Sequence, residues 1–216
     1  MSIAQRIERI RQEIPNSVRL VAVSKQVPVS LIREAYNTGI RDFAENRLQD
    51  ALLKQEQLTD LKDIAWHFIG HLQTNKAKKT IEHFQWIHSV DNLALLQRLD
   101  RLAKDLPVAP QLFLQVKILP DPNKYGWQIP ELFSHLTELE ACKNVKLRGL
   151  MVILPLGLTP EQSLAAFQST TNLLKQINQQ SSLALTELSM GMSNDYGLAV
   201  KAGATMIRLG QILFTE

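Results

Sequence analysis

The chain has 216 residues, with 24 lysines and arginines against 21 aspartates and glutamates, a net charge of +3 spread along its length. One hydrophobic core serves a chain of this size, and 45% hydrophobic residues exclude a disordered polymer. A single cysteine, Cys142, excludes an internal disulfide and a cysteine-pair metal centre; no window approaches the ~20 apolar residues of a membrane span, so one soluble, cytoplasmic domain over residues 1–216 is expected.

Isoleucines at helical spacing among charges predict a helix over residues 2–13. Residues 19–25, RLVAVSK, read as the first strand. Pro28 opens a helix that stops at Asn37-Thr38-Gly39, with glycine just past its end. Residues 42–46 read as the second strand and 48–57 as the following helix. Strands follow at 66–70 and 86–90; between them Lys76, Lys78 and Lys79 read as a solvated helix face, with an anion or nucleic-acid patch as the alternative. Asp91 is the expected N-cap of a helix over 92–104, which Pro107 ends. Residues 111–118 and 146–153 are the fifth and sixth strands. Thr159-Pro160 opens a long helix to about Gln176. Residues 187–191 form the seventh strand, 194–202 a helix ending at Gly203, and 206–210 the eighth strand.

Strands alternating with helices imply parallel pairing and right-handed crossovers. Runs such as LVAV and LFLQV suit strands covered on both faces. Eight units predict an α/β fold, a single (β/α)8 TIM barrel with an extra N-terminal helix; a doubly wound open sheet is the alternative. The barrel is preferred because the polar residues gather at the C-terminal ends of the strands, where such barrels carry their sites.

Those ends read Ser24-Lys25, Glu45-Asn46, Gly70-His71, Ser89-Val90-Asp91, Gly191-Met192-Ser193 and Arg208-Leu209-Gly210-Gln211. Lys25 is expected at the barrel mouth, partly desolvated beside Val21 and Val23; desolvation frees an amine to attack a carbonyl and form an imine. A solvated strand-end lysine is the plain alternative. Ser193-Asn194-Asp195 begins a helix whose free N–H groups, with the Ser193 hydroxyl, suit a phosphate, and Gly210 lets backbone approach so that its own N–H and that of Gln211 donate too. A simple Ser cap and strand-end glycine explain the same residues, and Asp195 repels a phosphate unless it turns away. Arg208 lies two residues before Gly210 on the same face. It either reaches further along the same bound molecule or makes a salt bridge with a barrel-bottom carboxylate.

Val21-Ala-Val-Ser-Lys25, His67-Phe-Ile-Gly-His-Leu-Gln-Thr-Asn-Lys76, Arg148-Gly-Leu-Met151 and Leu188-Ser-Met-Gly-Met-Ser193 through Arg208-Leu-Gly210 resemble the pyridoxal phosphate homeostasis proteins. This is the YggS/PROSC family, and within it the cyanobacterial PipY branch; the resemblance covers essentially the whole chain. It implies a fold similar to the alanine racemase N-terminal domain and pyridoxal 5′-phosphate held as a Schiff base on Lys25. It implies further that Ser193, Gly210 and Gln211, with Met192 beside them, hold the phosphate. Arg208 then faces the pyridine nitrogen, and Asn46 and His71 line the pocket. A permanently protonated arginine there leaves the ring nitrogen unprotonated, which weakens the cofactor as an electron sink. The implied role is vitamin B6 homeostasis: buffering the cofactor or delivering it to apoenzymes, with effects on amino-acid and keto-acid pools, as a monomer without classical turnover. Departures from the family pattern are Ala44 for a glycine, Lys117 for Asn, Asp121 for Glu and Thr215 for a glycine.

A racemase or decarboxylase is the alternative, and it needs a base facing Lys25; Tyr125 and Tyr196 are the candidates. A phosphate-binding barrel without pyridoxal phosphate, or a basic interaction module, is a third reading. His67 reads as a barrel-interior residue. His83, His88 and His135 make no metal-ligand spacing, so no metal is expected. Cys142, near Lys143 and Lys146, reads as an inert thiol, with an activated one as the alternative.

Overall fold

A computed structural model describes residues 1–215; Glu216, the last residue of the single domain expected from sequence, lies outside them. The strands β1 (Arg19–Val23), β2 (Asp42–Glu45), β3 (Ala65–Phe68), β4 (Trp86–Val90), β5 (Gln111–Gln115), β6 (Lys146–Met151), β7 (Glu187–Ser189) and β8 (Met206–Leu209) run parallel in chain order and close into a barrel. The helices are α1 (Ile3–Glu13), α2 (Val29–Asn37), α3 (Leu48–Gln57), α4 (Ala77–His83), α5 (Leu93–Ala103), α6 (Ile129–Ser134), α7 (Leu136–Ala141), α8 (Pro160–Gln180), α9 (Tyr196–Lys201) and α10 (Gln211–Phe214). The fold class is the one expected, with α1 as the extra N-terminal helix.

Local chemistry accounts for the helix starts. Ser2 Oγ accepts from Gln5 N at 3.2 Å while the Gln5 side chain accepts from Ser2 N, a reciprocal cap on α1. Thr159 and Gln162 repeat the arrangement at α8, with Pro160 in its first turn. The cap of α5 is Asn92, whose Oδ1 takes the Leu95 N–H at 2.8 Å; the expected cap, Asp91, turns toward His71. α4 carries Lys78 and Lys79 on its exposed side over buried Ala77, Thr80 and Ile81, the solvated face read from sequence. The fifth strand is shorter than expected, because beyond Gln115 only Val116 pairs, with Trp127.

Alternation sorts the strand residues into two cores. Leu20, Ala22, Phe43, Phe68, Ile87, Leu112, Leu150 and Ile207 face the helices. Val21, Val23, Ala44, Trp86, Phe113, Met151 and Met206 pack inside the barrel. Each fully buried apolar side chain contributes about 1.5–3 kcal/mol, so both registers are firmly set. The strand partners Val21↔Arg208 and Ala44↔His67 place two polar residues within that apolar interior.

Candidate functional site

A cavity of about 630 Å³ opens at the C-terminal ends of the strands. Lys25 and Asn46 come to it from the ends of β1 and β2, Ile69 and Gly70 from β3, and Arg208 from β8. The loops after β6, β7 and β8 supply residues 153–158, 192–195 and 210–211.

Lys25 sits in a tight turn closed by Val27 N donating to Ser24 O at 2.9 Å. The next residue, Gln26, has φ +61°, a left-handed conformation that costs a non-glycine residue about 1–2 kcal/mol. The turn is anchored from below. Ser24 Oγ donates to Glu45 Oε1 at 2.6 Å, and Lys54 Nζ reaches both Glu45 Oε1 (2.7 Å) and the Ser24 carbonyl (2.6 Å). The Glu45 carboxylate is buried and Lys54 nearly so. The Lys25 side chain itself is exposed. This corrects the expected partial desolvation: β1 ends at Val23, and the turn lifts Lys25 to the rim.

The loops after β7 and β8 carry unused donors. Among the described residues, the backbone N–H groups of Ser193, Asn194, Gly210 and Gln211 find no acceptor within the protein. Asp195 does not compete for this space with both oxygens, since its Oδ1 accepts from Met192 N at 2.7 Å; burial raises its pKa above the usual aspartate value. α9 begins at Tyr196, so Ser193 lies in the loop before the helix instead of starting it. Close backbone contacts shape both sides of the cavity: a Cβ on Gly70 would meet Asn46 O at 2.0 Å, and one on Gly210 would lie 3.3 Å from Val23 O.

Arg208 is almost fully buried at the base of the cavity. It forms no salt bridge among the described residues: Nη1 donates to Ser189 Oγ at 2.7 Å and Nη2 to the Val152 carbonyl at 3.0 Å. Burial pulls its pKa down to about 10, with Asp195 opposing the fall, so the guanidinium stays charged at neutral pH.

Lys25, Asn46, Met192, Ser193, Arg208, Gly210 and Gln211 thus line one cavity. His71 is not among its lining residues; its Nδ1 lies 3.2 Å from Asp91 Oδ2 and its ring stacks on Tyr125 at 3.6 Å. Tyr125 does not line the cavity either. Tyr196 turns to α1, where its hydroxyl donates to the Glu13 carboxylate, and burial with that bond pushes its pKa up to about 12. Sequence reasoning missed the wall at 153–158, whose signal was the apolar Pro155-Leu156-Gly157-Leu158 run after a strand, and the Glu45–Lys54 anchor. Cys142 lies apart from the cavity, and burial, followed by Asp100, pushes its thiol up to about 11. Among the described residues, no group of three or more His, Cys, Asp or Glu is arranged to hold a metal ion.

Residues 1–216 match the family model of the alanine racemase N-terminal domain. The pyridoxal phosphate homeostasis protein of Synechocystis is 59% identical over 203 residues, 94% of this chain and 93% of that protein. Its namesake in Pseudomonas aeruginosa is 41% identical over 216 residues, 98% of this chain and 91% of that one. The structure of PipY from Synechococcus elongatus with PLP bound superposes with a TM-score of 0.96 at 52% identity, covering 99% of this chain and 100% of that one. The chain belongs to the alanine racemase N-terminal domain family, in the group formed by the pyridoxal phosphate homeostasis proteins.

Proposed function

We propose that the chain holds pyridoxal 5′-phosphate on Lys25 and serves intracellular homeostasis of that cofactor, without classical turnover of amino acids. The observation that carries this reading is the meeting, in one cavity, of a lysine amine, four unused backbone donors and a buried guanidinium. A cavity of about 630 Å³ is of the size that takes a small cofactor. When bound, the group supplies an aldehyde that condenses with an amine and a ring that withdraws electrons.

Ser193, Asn194, Gly210 and Gln211 offer N–H groups to the phosphate oxygens, with the Ser193 hydroxyl as a further donor and Met192 beside them. Arg208, fixed by Ser189 and Val152, would face the ring nitrogen of the bound cofactor and, as a donor only, would keep a proton off it. Lys25 supplies the amine, and Asn46 borders it. The racemase or decarboxylase reading needs a base facing Lys25, and neither tyrosine suggested by sequence lines the cavity. We place the protein in the cytoplasm, as one cofactor-binding domain over residues 1–216 and a monomer whose partners are the cofactor and the apoenzymes that receive it. The unpaired Cys142 supports a reducing compartment. Among the described residues no helix is long and apolar enough to cross a membrane.

The test is the visible spectrum of the purified protein before and after borohydride, with peptide mass mapping. A yellow band lost on reduction, with the added mass on Lys25 and none in Lys25→Ala, supports the reading. A wild-type protein that stays colourless and unmodified after incubation with pyridoxal phosphate overturns it. Exchange of an amino acid's α-proton with solvent would overturn the absence of turnover alone.

A further inference from the structure

Arg208 begins a line of hydrogen bonds that crosses the barrel. Its Nη1 lies 2.7 Å from Ser189 Oγ, which lies 2.8 Å from His88 Nδ1. His88 Nε2 is 2.9 Å from His67 Nδ1, and His67 Nε2 is 3.0 Å from Asp42 Oδ1. Ser189, His88 and His67 have no exposed surface. Asp42, at the N-terminal floor of the barrel, is partly exposed and pairs with Arg19 at 3.3 Å.

The two ends dictate the direction of every bond between them. A guanidinium only donates, so Ser189 Oγ accepts from Arg208. A carboxylate only accepts, so His67 Nε2 carries the proton that faces Asp42. A neutral His67 then accepts at Nδ1 from His88 Nε2–H, and a neutral His88 in turn accepts at Nδ1 from the Ser189 hydroxyl. Any other tautomer pair would set two lone pairs or two N–H groups against each other in a site with no other partner. His67 stacks on Trp86 with planes 2° apart, and His88 packs tilted against Phe113 at 4.7 Å, contacts that hold both rings in these orientations.

We infer that Asp42, His67, His88 and Ser189 form a one-way relay, and that Asp42, His67 and His88 are positioning residues for Arg208 at the cavity base. The relay commits the Ser189 proton to His88, which fixes the hydroxyl rotor with a lone pair toward Arg208, so the guanidinium plane is held by that oxygen and by the Val152 carbonyl. Both imidazoles are neutral in this arrangement, in keeping with burial, which lowers the pKa of each. Its effect on bound pyridoxal phosphate rests on the reading that Arg208 faces the ring nitrogen; its direction does not.

Two measurements test it. Long-range ¹H–¹⁵N spectra of the cofactor-free wild type should show bare Nδ1 and protonated Nε2 on both His67 and His88; a protonated Nδ1 on either overturns the relay. In Asp42→Ala the lock is lost: the His67 tautomer should redistribute, the absorption band of bound pyridoxal phosphate should shift, and the cofactor should dissociate roughly fivefold faster, the effect of one orienting hydrogen bond. Asp42→Asn keeps an acceptor oxygen and should restore the wild-type tautomers and band. An Asp42→Ala protein with unchanged tautomers and band, even one of lower melting temperature, refutes the positioning role. A wild type that takes up no pyridoxal phosphate refutes the proposed function, while the tautomer spectra still decide the relay.

Discussion

Replacing Lys54 with methionine tests what holds the Lys25 turn. The substitution keeps most of the side-chain volume but removes the ammonium that contacts both Glu45 Oε1 and the Ser24 carbonyl. Glu45 is 1% exposed and Lys54 12%, so water does little to screen the carboxylate left behind. Removing one partner of a buried pair costs about 3–5 kcal/mol. For a chain of this size 1 kcal/mol moves the melting temperature by about 2–4 °C, which gives a fall of about 6–20 °C. Urea unfolding and a thermal scan of Lys54→Met read this directly. Adding Glu45→Gln should recover at least half of the loss, because the buried charge goes while the Ser24 hydroxyl keeps an acceptor. A single-variant loss under about 1 kcal/mol, the value of a solvent-exposed pair, would refute the claim that this pair anchors the turn.

Three further outcomes follow from the geometry. His67 and His88 are buried and neutral, with pKa values below the ordinary 6.5; the unfolded chain takes up protons first as pH falls. Their contribution to stability is full above pH 6.5 and declines below it, so urea midpoints should drop from about pH 7.5 to about pH 5.5, and a flat profile would contradict neutral burial. Gln26→Gly removes the side chain from a left-handed position and should leave stability unchanged or raise it by up to about 1 kcal/mol, whereas Gln26→Val should lower it. Cys142, with its thiol at about 11, exposes a thiolate fraction on the order of one in a thousand near pH 8, so iodoacetamide should label it far more slowly in the folded protein than in urea.

The strand and helix order was legible because each β/α unit carries its own local signals, and so were the residues at the strand ends. Ser193, Gly210 and Gln211 declared themselves by following strands seven and eight. Lys25 was placed at the right strand end but with the wrong exposure, since nothing local announces that the strand stops at Val23 or that Gln26 turns left-handed. Asp91 and Asn92 are both good caps in isolation, and only the approach of His71 separates them. α6 and α7 lack a long apolar period, being six residues each. The relay was illegible for a different reason. It joins residues 42, 67, 88, 189 and 208, contacts set by barrel closure and by a register shift between Ile87 and Val90, and no sequence spacing encodes those.

The loop after β6 divides the labour of the cavity. Arg208 at its base is held by a strand and by hydrogen bonds to Ser189 and Val152 that tolerate little change, whereas Leu156, in that loop, is 91% exposed. Substitutions at so open a position disturb folding by no more than about 0.5 kcal/mol, yet they alter the outline and wettability of the entrance. The chain can therefore drift in what passes its doorway while the interior stays fixed, and lineages of this fold are free to diverge at that loop first.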